Sequence, residues 1–87
     1  SLAHPKGIFV DDTFRLFVAD YDNDRIQMFA PRSRRAITVA GTGAKNTISL
    51  NKPIDVALDA DGILFIIDSD NHRIVASSRT GFRCIIG

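Results

Sequence analysis

The chain has 87 residues, with eleven Lys or Arg, ten acidic residues that are all Asp, and a formal net charge of +1. This length allows one small domain and is short for burying a deep core of its own. Leu, Ile, Val and Phe supply 27 of the 87 residues, well above the roughly 20% that marks disordered chains. No apolar run approaches the about 18 residues of a membrane-spanning helix, so we expect no membrane insertion.

An internal repeat covers most of the chain. When the sequence is shifted by 48 positions, residues 2–29 align with residues 50–77 without a gap and with ten identical pairs. Self-similarity at a fixed period of this length indicates a repeat architecture. Beyond residue 29 the offset between the two repeats falls by two, from 48 to 46 positions, so that residues 39–41 align with residues 85–87. We therefore divide the chain into repeat 1 (residues 1–41), a connection (residues 42–52) and repeat 2 (residues 53–87).

Each repeat predicts four short strands, named a to d. They are residues 7–11, 15–20, 25–29 and 36–40 in repeat 1, and residues 55–59, 63–68, 73–77 and 83–86 in repeat 2. Strand b is almost continuously apolar in both repeats, which predicts burial on both of its faces. Because proline cannot donate to a strand ladder, we place Pro5 and Pro53 before strand a. Gly, Pro or Asp-Asn interrupts every apolar run, which argues against helices.

Four strands in a repeat of this length are typical of a β-propeller blade. The motifs of repeat 1 are PKGIFVD at 5–11, LFVAD at 16–20 and NDRI at 23–26, and those of repeat 2 are PIDVALD at 53–59, LFIID at 64–68 and NHRI at 71–74. Both sets closely resemble the NHL repeat. The resemblance implies an all-β chain of two four-stranded antiparallel blades from a six-bladed propeller. One position departs from the pattern, because Asp55 stands where the repeat usually has Gly.

Two blades cannot close a ring, and their flat apolar faces would meet water. Three copies of the chain would supply six blades, so we predict a homotrimer that closes through heterologous contacts. In the competing interpretation, the 87 residues are a piece of a longer chain that supplies the other blades.

The most conspicuous polar motif is Asp-x-x-Asn-x-Arg, which occurs once in each repeat. Its residues are Asp20, Asn23 and Arg25 in repeat 1, and Asp68, Asn71 and Arg73 in repeat 2. Asp and Asn favour tight turns, and a following Arg can form a charge-assisted pair with the carboxylate. We interpret the motif as the structural turn between strands b and c, because a catalytic acid would not normally be copied into successive blades.

The metal and nucleophile signals are weak, and we expect no cofactor. His4 and His72 lack the spacing of zinc ligands and are interpreted as surface residues. The acidic residues near the b–c turns, Asp20, Asp22, Asp24, Asp68 and Asp70, do not follow the calcium-loop pattern. Cys84 has no partner motif in the sequence, and we expect it to be a buried, inert thiol.

Charge divides the loops into two groups that a propeller would present on opposite faces. The b–c turns are acidic, whereas the c–d connections carry a candidate basic rim formed by Arg32, Arg34, Arg35, Arg79 and Arg83. A basic rim can attract acidic or phosphate-bearing partners, among them RNA, although aromatic residues are not interleaved with these arginines. The connection shares a face with the b–c turns. The candidate ligand face on that side consists of Lys45, Asn46, Asn51 and Lys52 from the connection and His72 from the second b–c turn.

Two functional hypotheses follow from different classes. The first is a non-catalytic interaction module, because NHL-like propellers typically present one face to a protein and some to RNA. The alternative is a metal-dependent propeller enzyme of the lyase or lactonase kind. That alternative would need polar groups near the propeller axis, where the sequence offers Asp55 and Lys6. A third possibility is a two-blade folding unit with no activity of its own.

Overall fold

The computed structural model describes residues 5–43, 48–78 and 81–87. Within these residues, eight strands form two antiparallel four-stranded sheets, which we call blade 1 and blade 2. Blade 1 consists of β1 (Pro5–Val10), β2 (Leu16–Asp20), β3 (Arg25–Phe29) and β4 (Ala36–Gly41). Blade 2 consists of β5 (Pro53–Leu58), β6 (Leu64–Asp68), β7 (Arg73–Ser78) and β8 (Gly81–Ile86). The predicted fold class, all-β with two four-stranded antiparallel sheets, is confirmed.

Each blade is an up-and-down meander whose strand order follows the chain. Pro5 pairs with Asp20, and Pro53 pairs with Asp68, as the first residues of β1 and β5. The prediction that both prolines precede the strand is therefore wrong at this boundary. Proline is tolerated at the first position of a strand, and in both blades the register shifts directly after it.

The hydrophobic core lies between the two blades. Its buried members are Phe17, Ala19, Ile26 and Ala40 from blade 1, Val56, Leu64, Ile66 and Val75 from blade 2, and Leu50 from the connection. Because side chains alternate across a strand, each blade sends one face into this core. The opposite faces point away from the partner blade.

Burial of strand b differs between the blades. In β2 every residue from Phe17 to Asp20 is buried, as the apolar run predicted. In β6 the prediction is wrong at Ile67, which is 38% exposed. Ile67 belongs to the set of side chains that alternates with the core residues Leu64 and Ile66, so it points away from blade 1.

The two blades are in close backbone contact at Gly7 in β1. A Cβ atom on this residue would lie 2.6 Å from the Asp55 Cα and 2.7 Å from the Ile54 carbonyl oxygen. Such distances are far shorter than a side-chain carbon tolerates, so the contact requires glycine. Strand β5 accordingly packs against both β1 and β2.

Candidate interaction surfaces

Each b–c turn is built around one fully buried carboxylate. The Asp20 Oδ2 atom accepts hydrogen bonds from Asn23 Nδ2 at 3.1 Å and from Arg25 Nε at 2.8 Å. The turn itself is a single turn of 3-10 helix, Tyr21–Asn23, which ends at Asp24 in the left-handed conformation. The carboxylate thereby binds both its own turn and the start of β3.

The same arrangement recurs in blade 2. The Asp68 Oδ2 atom accepts hydrogen bonds from Asn71 Nδ2 and Arg73 Nε, both at 2.8 Å. Its other oxygen, Oδ1, accepts the backbone N–H of Asn51 at 2.7 Å, and Arg73 Nη2 donates to the Ser49 carbonyl at 2.6 Å. This turn therefore also holds the end of the connection in place.

A second group of contacts joins the b–c turn of blade 1 to the entry of blade 2. The Asp24 Oδ1 atom accepts the backbone N–H of Lys52 at 2.9 Å. The Lys6 and Lys52 ammonium groups lie 5.0 and 5.2 Å from the centroid of the Tyr21 ring, within the range of cation–π interaction. Sequence reasoning missed Tyr21, and its only signal was that Ser69 occupies the matching position in repeat 2.

Three of the predicted ligand-face residues lie within the described part of the chain. Asn51 is exposed and uses its backbone N–H toward Asp68, while Lys52 is half-buried against Tyr21. His72 is exposed and adopts a left-handed conformation at the end of the second 3-10 turn. Lys45 and Asn46 lie outside the described residues.

At the opposite end of blade 1, Asp11 organises the turn between β1 and β2. Its Oδ1 atom accepts the backbone N–H groups of Thr13 and Arg15 at 3.0 and 2.8 Å, and Arg15 Nε donates to Oδ2 at 2.7 Å. Burial by itself raises the pKa of Asp11, but the hydrogen bonds from Arg15 and Thr13 outweigh it and lower the pKa from 3.8 to about 2. The side chain is therefore a carboxylate at neutral pH.

The basic rim lies at this same end of the blades. Arg32, Arg34 and Arg35 are all exposed in the loop between β3 and β4, and Arg83 is exposed on β8. Arg79 lies outside the described residues. The aromatic ring of Phe14, in the a–b turn of the same blade end, is 75% exposed. Sequence reasoning missed Phe14, whose φ of 63° is a conformation that blade 2 gives to a glycine, Gly62, at the matching position.

The structure also locates the residues considered for metal or nucleophilic chemistry. No group of three or more His, Cys, Asp or Glu side chains within residues 5–43, 48–78 and 81–87 is arranged to hold a metal ion. Asp55 is exposed and its Oδ1 atom accepts the N–H of Val56. Cys84 is exposed, so the expected burial is wrong: β8 is an outer strand that no further strand covers. His4 lies outside the described residues.

Each blade also leaves one apolar face open to solvent. The front face of blade 1 contains the exposed Ile8 and Val10, the half-buried Leu16 and the buried Val18, which match the packed blade 2 residues Val56, Leu58, Leu64 and Ile66 in the repeat alignment. The back face of blade 2 contains Phe65, Ile67, Ile74 and Ile86, which match the core residues Phe17, Ala19, Ile26 and Ala40 of blade 1.

The exposures of matched residues show how much apolar surface remains uncovered. Ile8 is 62% exposed on the front face, whereas its counterpart Val56 in the core is 3% exposed. Ile86 is 62% exposed on the back face, whereas Ala40 is fully buried. The internal junction thus joins a back face to a front face and leaves one face of each kind open.

Comparisons with known proteins agree with this architecture. Virginiamycin B lyase from Staphylococcus aureus has a similar structure, with a TM-score of 0.72 and 12% sequence identity over 95% of this chain and 27% of that chain. At this identity the likeness concerns the fold alone. The fold is that of β-propeller blades.

Sequence comparison defines the family. The family model of the NHL repeat matches residues 50–76. NHL repeat-containing protein 2 from Homo sapiens is 31% identical over 84% of this chain, and Protein SUPPRESSOR OF QUENCHING 1, chloroplastic, from Arabidopsis thaliana is 29% identical over the same share. Residues 50–76 thus match the NHL repeat, as the motifs of repeat 2 predicted. The chain spans 11% and 8% of the lengths of these two relatives.

Within residues 5–43, 48–78 and 81–87, no helix is long and apolar enough to cross a bilayer.

Proposed function

We propose that this chain is a non-catalytic interaction module whose blades close into a ring by docking onto copies of the chain. The observation that carries the proposal is the pair of open faces. The internal junction buries the back face of blade 1 against the front face of blade 2. A second copy can offer its front face to the open back face of the first. Three copies would supply six blades, the number that the resemblance to NHL repeats implies.

Apolar character at the matched positions supports this docking. The front-face residues Ile8, Val10, Leu16 and Val18 are aliphatic, like the four blade 2 residues with which they align. Ile8 and Val10 are the exposed members of this set, and fully burying an exposed aliphatic side chain of this size is favourable by about 1.5–3 kcal/mol. An open patch of this kind on a small protein typically marks an interaction surface.

A buried polar side chain on the front face, Gln27, is hydrogen-bonded within blade 1. Gln27, which matches Val75 of the core, is buried and its Oε1 atom accepts a hydrogen bond from Thr38 Oγ1 at 2.6 Å. Because the amide oxygen and the hydroxyl are paired with each other, covering them with a second copy would leave the bond intact.

The native mass of the purified 87-residue chain tests the assembly. We expect one species of three times the 9.5 kDa of a single chain, measured by native mass spectrometry and by sedimentation. A monodisperse monomer over the micromolar range would contradict the proposal. In that case the open faces would require blades from a longer polypeptide.

The binding partner in this proposal is a protein segment rich in acidic residues. The support is the exposed cluster Arg32, Arg34 and Arg35, which lies at the same end of blade 1 as the exposed Phe14 ring. Arginine forms forked hydrogen bonds to carboxylates, and an exposed aromatic ring can bury an apolar neighbour of those acids.

A fluorescent peptide of alternating Asp and Leu tests this role in the assembled chain. We expect saturable binding that weakens at least about tenfold when the three arginines are changed to Gln, since each charge-assisted hydrogen bond contributes roughly 1.5–3 kcal/mol. An Asp22→Asn, Asp70→Asn variant at the opposite end serves as the control. Equal binding by all variants, or a preference for single-stranded RNA over the peptide, would contradict the protein-partner role.

A further inference from the structure

We infer that a ring of three chains has two kinds of junction, and that the seam between copies is held more weakly than the junction inside each chain. This inference rests on the proposed function. The residues of blade 1 that join it to blade 2 differ from the residues at the matching positions of blade 2. The latter would face the next copy.

The first difference is at the close backbone contact between the blades. Gly7 permits the internal junction because it has no Cβ atom to meet the Asp55 backbone. The residue of blade 2 that matches Gly7 is Asp55. The register places both residues after the initial proline and just before the pairs Ile8–Val18 and Val56–Ile66. In the seam, Asp55 would therefore bring a Cβ atom and a carboxylate to the place where the internal junction has none.

The second difference concerns the polar contacts across the junction. Inside the chain, Asp24 accepts the N–H of Lys52 and the Tyr21 ring contacts the Lys52 ammonium. At the matching positions, blade 2 carries His72 in place of Asp24 and Ser69 in place of Tyr21. His72 has nearly the same left-handed backbone conformation as Asp24, with φ of 51° against 55°. The turn is thus preserved, but the carboxylate and the aromatic ring are absent from it.

The apolar contacts, by contrast, have counterparts at the seam. Phe65, Ile67 and Ile74 of the back face remain apolar like the core residues that they match. The seam therefore keeps the apolar component of the internal junction and lacks its close backbone contact and its polar contacts. A ring of this design opens at three seams, and single chains exchange between rings.

The Asp55→Gly substitution tests the seam. We expect the concentration for half-assembly, measured by sedimentation, to fall on the order of tenfold, because removing a Cβ atom from an overpacked contact restores close packing. Asp55→Ala is the matched control: it removes the carboxylate but keeps the Cβ atom, so its assembly should remain within about threefold of the unchanged chain. Equal tightening by both variants would overturn the steric argument.

The polar part has a separate test. His72→Asp restores the missing acceptor, and aspartate tolerates the left-handed conformation. We expect the double variant Asp55→Gly, His72→Asp to assemble several-fold more tightly than Asp55→Gly alone, because it gains a charge-assisted hydrogen bond to a backbone N–H. Asp70→Asn, which changes a charge in the same turn, serves as the control and should not tighten the seam.

Failure of this inference is distinguishable from failure of the proposed function. If the unchanged chain forms trimers and Asp55→Gly forms them no more tightly, the inference is wrong and the ring stands. If the unchanged chain and Asp55→Gly both remain monomers, the ring itself is wrong. If the unchanged chain remains a monomer and Asp55→Gly alone forms trimers, the proposed function fails for the unchanged chain, whereas the steric role of Asp55 is supported.

Discussion

At the scale of single residues, two buried carboxylates organise the turns that connect the strands. Asp20 and Asp68 have fully buried side chains, and each is paired with an arginine side chain that is 23% exposed. Removing one partner of such a pair leaves an uncompensated polar group, which is more costly than the pair is favourable. The recurrence of this cluster in both blades follows from its role in folding each turn.

The Asp68→Asn substitution should destabilise the chain by about 2–3 kcal/mol, at the lower end for buried pairs because Arg73 remains partly hydrated. Asn at this position keeps the shape of the side chain but loses the charge that three donors share. Urea unfolding of the purified chain measures the effect. The exposed Asp70 provides the control, and Asp70→Asn should change the stability by less than about 0.5 kcal/mol. Equal losses in both variants would show that Asp68 has no special role.

At the scale of elements, the a–b turn of blade 1 depends on the charge of Asp11. Its carboxylate accepts bonds from the backbone at Thr13 and Arg15 and therefore defines the path from β1 to β2. The turn of blade 2 is similar, because Asp59 accepts the N–H groups of Asp61 and Ile63. Within the described residues, Asp59 has no counterpart of the arginine contact that Asp11 makes with Arg15 in blade 1.

We expect the a–b turn of blade 1 to make an acid-sensitive contribution to the free energy of unfolding. The pKa of Asp11 is lowered from 3.8 to about 2, so the folded state favours the ionised form. The contribution is complete above the unfolded pKa and is lost as the pH falls from about 4 toward 2. Asp11→Asn should remove this part of the pH dependence in urea unfolding measured across that range. Asp12→Asn, an exposed neighbour, should leave the slope unchanged, and an unchanged slope for Asp11→Asn would contradict the prediction.

Much of the fold could be predicted from the repeat. The internal alignment gave the number of strands and matched each b–c turn with its counterpart, because the same hydrogen bonds require the same residues. Alternation also predicts which side chains share a face. It does not predict what covers that face, and for this reason the expectation of burial is wrong at Ile67 and at Cys84.

The contacts between blades were harder to predict. Tyr21 meets Lys52 across 31 residues of sequence, and no local pattern connects an aromatic ring to a distant lysine. The need for Gly7 likewise depends on the approach of a second sheet. The departure at Asp55 was visible in the sequence, but its steric meaning required the contact that Gly7 makes.

At the scale of the whole molecule, the two open faces differ, and this difference permits a complementation test. Ile8→Asp places a charge on the front face, and Ile67→Asp places one on the back face. Each variant alone should remain monomeric, because an unpaired buried charge costs several kcal/mol. A mixture of the two should form a heterodimer and stop there, since each chain retains one intact face.

Native mass spectrometry of the mixture measures this outcome. Ala30→Asp adds the same charge in an exposed loop and should assemble like the unchanged chain. Trimers in either single variant, or monomers alone in the mixture, would contradict docking of a front face onto a back face.

The loop that carries Arg32, Arg34 and Arg35 has no equal in blade 2. Six residues, 30–35, separate β3 from β4, whereas two residues separate β7 from β8. A ring of three chains would therefore present this basic loop on alternate blades, in threefold rather than sixfold array. Such an array favours multivalent ligands, because a partner that carries several acidic segments on linkers of matching span gains avidity that a single segment lacks.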